Sequence, residues 1–220
     1  GVLFSDINTI SFFNYDIKNT AVISFVTASA FLIVAFISPI LSGIADYIGN
    51  KKKFMKIFVY LGSTSCVGLY WFELETIYIG LLFYFLALIG LWSSIVFYNS
   101  YLPDIAFPEQ QDRVSARGYS YGYIGSVILL LMNLAMVMQP DLFGIEGTSS
   151  EASMKAMKYS FISVGIWWAL FSQYSFYFLP KSNHEVRVTK DIFWNGYKEL
   201  RSVWKQLKGQ TQLRRFLPAF

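Results

Sequence analysis

The sequence predicts an all-α, polytopic membrane protein from three observations: an apolar composition, long stretches without charge, and basic residues concentrated in one set of loops. Of the 220 residues, 55% are apolar and 15% are charged, and the mean hydropathy is +0.43. A soluble domain carries about 25% charged residues. The composition therefore argues against a soluble domain, and the abundance of apolar residues excludes a disordered chain.

Five stretches contain no Asp, Glu, Lys or Arg, and a helix needs about 20 apolar residues to cross the hydrocarbon core of a bilayer. Four of them are 21 to 25 residues long. The second has 16 and can be extended by Lys56, whose long side chain reaches toward the headgroups. Only helices satisfy the backbone of such single segments in lipid. We therefore expect five transmembrane helices, at 21–45, 57–72, 76–99, 118–138 and 159–179.

The basic residues predict the orientation of these helices. The connecting segments alternate between two faces, and one face, formed by 46–56, 100–117 and 180–215, receives 15 of the 18 Lys and Arg residues. The acidic residues divide equally, seven to each face, so the bias is specifically basic. Because Lys and Arg are enriched on the cytoplasmic side, we expect the basic face to be cytoplasmic.

The residue types needed for several kinds of catalysis are missing. Cys66 is the only cysteine and His184 the only histidine, which excludes an intrachain disulfide, a thiol-rich metal site and a histidine-based triad or zinc site. No span carries paired carboxylates. We expect no enzyme, cofactor or metal, and we read the pI near 9.0 as a sign of topology rather than of nucleic-acid binding.

Both ends of the chain look like interrupted apolar segments. The first four residues read like the tail of one such segment, and 216–220 read like the start of another. No basic region precedes an apolar core, which argues against a signal peptide. We expect the chain to be part of a longer protein of transporter size.

Small residues four apart predict surfaces on which transmembrane helices pack closely. Pro39 is also predicted to kink the first helix, because it lacks a backbone N–H. The predicted packing positions are Ser38 with Ser42, Pro39 with Gly43, and Gly118 with Gly122, extended by Gly125 and Ser126.

The turn after the first span has an unusual arrangement of charges. Asp46 ends the span, Gly49 follows three residues later, and Lys51, Lys52 and Lys53 come next. Gly49 permits a left-handed turn. The Asp46 carboxylate can accept hydrogen bonds from a neighbouring helix N-terminus, and the lysines can pair with acidic groups or lipid phosphates. An ordinary basic turn that only sets topology is the alternative.

Two motifs carry a resemblance to a known family. The first is the turn, Ile44-Ala45-Asp46-x-x-Gly49-x-Lys51, and the second is Asn99-x-x-Leu102-Pro103-Asp104-Ile105-Ala106 with Asp112-Arg113-x-Ser115-x-x-Gly118-Tyr119-x-x-Gly122-Tyr123-x-Gly125. The turn resembles the signature between helices two and three of the major facilitator superfamily, with Ser42 and Asn50 in place of the usual Gly and Arg. The second motif is similar to the vacuole effluxer-like branch of the major facilitator superfamily, a branch associated with amino-acid release.

The resemblance implies a twelve-helix fold in which two six-helix halves rock around a midplane site. Residues 1–20 would be an extracytoplasmic loop after a first helix, and 21–179 would be helices two to six. Residues 180–215 would be the central cytoplasmic loop, and 216–220 the start of helix seven. By the same resemblance, a cytoplasmic gate would be formed by Gly43, Asp46, Gly49, Lys51 and Lys52.

A second group of charges lies near the end of the third span. Asp104 lies just beyond this end and is close in sequence to Arg113 and Arg117. We predict a second cytoplasmic salt-bridge cluster of Asp104, Asp112, Arg113 and Arg117. Solvated loop charges are the alternative.

The segment 180–215 contains a predicted amphipathic helix. Its apolar residues recur at helical spacing and its basic residues populate the other faces, a pattern typical of helices that bind anionic headgroups at the bilayer surface. Binding of a partner is the alternative. The apolar residues are Phe193, Tyr197, Leu200, Trp204 and Leu207.

Candidate substrate-binding residues come from the third and fourth spans. No span contains the carboxylate that proton-driven carriers usually place in the membrane, so three alternatives remain: a coupling group elsewhere in the protein, uniport, or an ion bound by neutral oxygens. Interfacial belts are the alternative role for the aromatic residues. The candidates are Tyr84, Trp92 and Asn99 on one helix and Tyr123, Ser126 and Asn133 on the other.

These features favour a secondary transporter of a small solute, with amino acids as the leading class by resemblance only. The alternative is a non-transporting membrane scaffold or receptor with the same topology. We expect the full-length protein to be monomeric and to lie in the bacterial plasma membrane, with its basic loops in the cytoplasm.

Overall fold

The computed structural model describes residues 9–12, 15–48, 51–73, 75–180 and 201. The side chains before Lys18 and those of residues 42–48 are not among the described parts. The predicted amphipathic face from Phe193 to Leu207 and the predicted helix start at 216 lie outside the described residues.

A small hairpin precedes the helices. Strand β1 (Thr9–Phe12) pairs antiparallel with β2 (Tyr15–Lys18), with Thr9 opposite Lys18 and Phe12 opposite Tyr15. The sequence pattern predicts only a loop in 1–20, whereas the structure adds these two strands to the helical fold. Aromatic and β-branched residues favour strands, but two four-residue segments are too short to give a clear alternation.

The five predicted apolar stretches fall in five long helices, as expected. They are joined by short elements: 3₁₀ turns at Leu69–Trp71, Pro108–Gln110 and Pro140–Phe143, and the one-turn helix α4 (Leu102–Ile105). Residues 69–72 at the end of the second stretch lie in or just after the first of these turns. The long helices are α1 (Asn19–Ile48), α2 (Lys51–Gly68), α3 (Ile77–Ser100), α5 (Gln111–Met138) and α6 (Ser149–Phe178).

Three segments of the described chain are long and apolar enough to cross a membrane: Asn19–Leu41, Ile77–Ile105 and Pro108–Met138. Helix α2 begins with three lysines, and α6 carries charges near its start and many Ser, Tyr and Trp residues beyond them, all of which lower hydropathy. The structure thus supports a multi-pass membrane protein, while the spanning role of α2 and α6 stays a prediction.

The helices pack in the spatial order α1, α3, α2, α6 and α5. The backbone of α2 is in close contact with a glycine of α3 on one side and with a glycine of α6 on the other. A Cβ on Gly90 of α3 would lie 2.6 Å from the Cα of Gly62, and a Cβ on Gly165 of α6 would lie 2.6 Å from the carbonyl oxygen of Ser63. Small residues at such crossings allow the close packing that stabilises helices in lipid.

Contacts between helix ends show which ends lie together. Lys51 at the start of α2 contacts Asp104 after α3, and Lys52 contacts Leu179 after α6. At the opposite end, Lys158 of α6 forms an ion pair with Glu73 in the α2–α3 connection. This arrangement agrees with the alternation of segments deduced from the charge pattern.

The connection between α5 and α6 is well structured. Gly144 adopts a left-handed conformation, with φ of 69°, and Ile145 packs into a small apolar cluster between the two helices. Thr148 and Glu151 form a capping box at the start of α6. Hydrogen bonds from the Thr148 hydroxyl and backbone N–H lower the pKa of the Glu151 carboxyl. The cap therefore stabilises α6 at neutral pH, and this contribution is lost as the pH falls through the lowered pKa.

Candidate functional site at the basic end of the helix bundle

Lys51 joins the start of α2 to the end of α3. Its ammonium donates hydrogen bonds to the carbonyl oxygen of Ser100 at 3.0 Å and to Oδ2 of Asp104 at 2.9 Å. It also lies 5.9 Å from the centre of the Tyr101 ring. The Lys51 side chain is 15% exposed and that of Asp104 is 44% exposed. The ion pair is therefore partly shielded from water on the lysine side.

The position of Lys51 follows from the directions of the helices. The carbonyl groups at a helix C-terminus carry a partial negative charge and attract cations. Helix α3 has no basic residue in its last turn, and α2 runs antiparallel to it and presents lysines at the adjacent end. The first-turn lysines are unfavourable for α2 itself but supply the positive charge that the end of α3 lacks.

Lys52 reaches a different neighbour. Its ammonium donates a hydrogen bond to the carbonyl oxygen of Leu179, the residue that follows α6, at 2.7 Å. The two adjacent lysines of the predicted gate therefore contact the ends of two different helices, and the start of α2 is linked to both.

The remaining gate residues are only partly described. Gly43 and Asp46 lie within the last turns of α1, which extends to Ile48, and the Asp46 side chain is not described. Gly49 lies outside the described residues. The predicted contact of Asp46 with a helix N-terminus therefore stays a prediction.

The second predicted cluster is not assembled as the sequence order implied. Asp104 pairs with Lys51, 53 positions earlier in the chain. Asp112, Arg113 and Arg117 are exposed at the start of α5 and form no ion pair within the described part of the chain. Helices α3 and α2 are antiparallel neighbours, which makes Lys51 the available partner, whereas proximity in sequence does not bring the arginines to Asp104.

Most of the described residues that were predicted to pack against another helix do not contact one in the structure. Pro39 is exposed on α1, and the helix continues past it to Ile48. A Cβ on Gly118 would lie 2.7 Å from the hydroxyl of Tyr98, but a Cβ on Gly122 or Gly125 would meet nothing within 4 Å. Within the described chain, only Gly118 of these three glycines approaches another helix.

The packing that sequence reasoning missed lies on α2, α3 and α6. Among the described glycines, Gly62, Gly90 and Gly165 lie where the backbones of two neighbouring helices come into contact. The signal is present in the sequence, because Gly62 with Cys66 and Gly90 with Ser94 also pair small residues four apart. Sequence spacing does not reveal which of several such pairs faces a neighbour.

Tyr84 and Trp92, two of the predicted cavity residues, contact α1. The hydroxyl of Tyr84 is hydrogen-bonded to that of Thr27 at 3.0 Å, and the Trp92 ring lies 5.3 Å from that of Phe31. These contacts hold α1 against α3. Two cavities, of about 520 and 420 Å³, lie beside the α5–α6 connection, and neither residue lines them.

The other four cavity candidates are dispersed along α5 and its neighbours. Oδ1 of Asn99 accepts a hydrogen bond from Tyr119 at 3.3 Å, and Oδ1 of Asn133 accepts one from Ser163 of α6 at 2.7 Å. Tyr123 is exposed, and Ser126 donates to the carbonyl oxygen of Tyr123 within the helix. None of the six candidates lines either of these two cavities.

Apolar helices long enough to span a bilayer, packed through glycines, with lysines joining three helices at one end, define a multi-pass helical membrane protein. Residues 5–220 match the family described as Vacuole effluxer Atg22 like. The chain belongs to this family, which lies in the major facilitator superfamily of transporters and is not a family of enzymes.

Two proteins are similar to this chain in sequence. A protein of Bacillus subtilis (strain 168), described as an uncharacterized MFS-type transporter YxiO, is 32% identical over 209 residues, which are 92% of this chain and 46% of that protein. An uncharacterized protein of Aquifex aeolicus (strain VF5) is 33% identical over 119 residues, 53% of this chain and 30% of that protein. The chain thus spans about half or less of the length of these relatives. No solved structure matches it.

Proposed function

We propose that this chain is part of a secondary transporter that moves a small solute, with amino acids as the leading class, across the plasma membrane by alternating access. The five long helices would belong to one half of the transporter, with the lysine-rich end in the cytoplasm. The family membership supports transport, and the excess of basic residues in one set of loops supports this orientation.

The observation that carries the proposed mechanism is the bridge made by Lys51. One ammonium joins the start of α2 to both Ser100 and Asp104 at the end of α3. In alternating access, contacts at one face must form in one state and loosen in the other. We propose that Lys51 and Asp104 act as a cytoplasmic latch, to which Gly43, Asp46, Gly49 and Lys52 contribute.

The proposed solute site draws on residues of α3 and α5. The polar residues proposed for it remain Tyr84, Trp92, Asn99, Tyr123, Ser126 and Asn133. Several of these already bind a neighbouring helix, so a solute would compete with, or add to, these helix-to-helix contacts. Asn133 is the most informative position, because its amide can form further hydrogen bonds beyond the one that Ser163 donates.

We predict that Asn133→Ala alters uptake kinetics more than Ser163→Ala does. Either change removes the hydrogen bond between α5 and α6, which is worth about 0.6 kcal/mol in a membrane, so the two variants should lose similar stability. Only Asn133→Ala also removes the amide, and we expect it to raise KM by at least about threefold, the factor that one such bond supplies. Wild-type kinetics in Asn133→Ala would remove this residue from the site.

Reconstitution tests transport directly. The full-length protein in proteoliposomes should accumulate or release at least one radiolabelled solute from a panel of amino acids, sugars and drugs, with and without an imposed pH gradient. Protein-free liposomes are the control. Thermal unfolding of the same preparation shows whether the protein is folded. If a folded preparation moves none of the solutes, a scaffold or receptor with the same topology is favoured.

A further inference from the structure

The cytoplasmic half of α2 carries a row of polar side chains that contact α6 in register. Lys52, Lys56 and Tyr60 are spaced four residues apart and therefore lie on one face of the helix. Their partners, Leu179, Phe176 and Gln173, are spaced three residues apart in the reverse order. The two antiparallel helices thus meet through three successive polar contacts.

Each contact uses a different interaction. The Lys52 ammonium donates to the Leu179 carbonyl oxygen at 2.7 Å, and the Lys56 ammonium lies 5.2 Å from the centre of the Phe176 ring. The hydroxyl of Tyr60 donates to Oε1 of Gln173 at 3.1 Å. The Gln173 amide is oriented by a further hydrogen bond from its Nε2 to the carbonyl oxygen of Ala169 within α6, at 2.7 Å.

The positive charge beside the C-terminus of α6 comes from the lysines of α2. Helix α6 has no basic residue in its last turn, and Pro180, two residues beyond the end of the helix, prevents the helix from continuing. Its final carbonyl groups have no intrahelical partner. Lys52 supplies both a hydrogen-bond donor and a positive charge at this end. Phe176, which is 5% exposed, anchors the end of α6 in the apolar cluster around Phe97.

We propose that Lys52, Lys56 and Tyr60 form a clasp that fixes the last two turns of α6 and so sets the position of the helix end at Leu179. Because Lys51 binds the end of α3 and the adjacent Lys52 binds the end of α6, a displacement of the start of α2 is transmitted to this helix end. The clasp does not depend on the identity of any transported solute.

Hydrogen exchange of the full-length protein in lipid nanodiscs tests the clasp. The reporter is a peptide covering 172–179, which includes the amide of Leu179 that donates to the Ser175 carbonyl oxygen at 3.0 Å. Loss of a charge-assisted hydrogen bond in Lys52→Met should speed exchange of this peptide about tenfold. Lys52→Arg, which keeps a charged donor, should stay close to the wild type. Tyr60→Phe should give an increase of about threefold, since it removes one neutral bond.

The matched control is Lys155→Met, which removes the same charge near the start of α6, away from the three contacts. We expect wild-type exchange of peptide 172–179 in this variant. Unchanged exchange in Lys52→Met would overturn the clasp. Exchange that rises equally in Lys155→Met, or equally in peptides from α1 and α3, would overturn it too, because the effect would then be one of charge or of global stability.

Discussion

Gly90→Val is expected to destabilise the helix bundle strongly, because it forces a side chain into the place where α2 and α3 touch. A Cβ at this position would lie 2.6 Å from both N and Cα of Gly62 and 2.8 Å from the carbonyl oxygen of Phe58. All three are backbone atoms of α2, so no side chain can rotate away. Overpacking costs about 1–3 kcal/mol or more, whereas the better helix propensity of Val over Gly recovers only about 0.3 kcal/mol.

The measurement is thermal unfolding of the purified full-length protein at a fixed scan rate. We expect the apparent Tm of Gly90→Val to fall by roughly 6 °C or more. Ala28→Val is the control, because it adds two methyl groups at an exposed position on α1. An unchanged Tm in Gly90→Val would show that α2 and α3 do not meet through these glycines.

Asp104→Asn is expected to have the largest effect on transport. The change removes the charge paired with Lys51 but keeps the size of the side chain. Because Asp104 is partly exposed, the pair is worth about 1 kcal/mol or less, which corresponds to about a fivefold change in rate if the pair forms in only one transport state. We expect a decrease of this size in the initial uptake rate, with normal membrane insertion.

Two further variants show whether the effect comes from the ion pair between Lys51 and Asp104. Lys51→Gln should reproduce the decrease, and combining it with Asp104→Asn should cause little further loss, because both changes remove the same interaction. Glu109→Gln, at an exposed acidic position in the neighbouring 3₁₀ turn, should transport like the wild type. Wild-type uptake in Asp104→Asn, or fully additive losses in the double variant, would contradict the latch.

The sequence predicts the helices well because their signal is local. The absence of charge and the apolar composition mark five stretches, and each of them lies wholly or mostly in a long helix. The hairpin at Thr9–Lys18 escapes this reasoning because its strands have only four residues each. The pattern also cannot give the spatial order of the helices, since that order depends on which small residues face a neighbour.

The candidate site could be predicted only in part, for the same physical reason. The lysines after α1 are visible in the sequence, and their partners could be given only as acidic groups or lipid phosphates. Asp104 is also visible, but its position in the sequence suggests Arg113 and Arg117 as partners, whereas the structure pairs it with Lys51. Only the antiparallel packing of α2 against α3 and α6 brings Lys51 to Asp104 and Lys52 to Leu179.

The sidedness of the loops tests the central claim most directly. Single cysteines introduced by Lys53→Cys and Lys155→Cys into a cysteine-free full-length protein can be labelled with a membrane-impermeant maleimide. We predict that the Lys155→Cys variant is labelled in intact cells and that the Lys53→Cys variant is labelled only after permeabilisation. Labelling of both variants from the same side of the membrane would contradict the alternating helices and, with them, the proposed transporter.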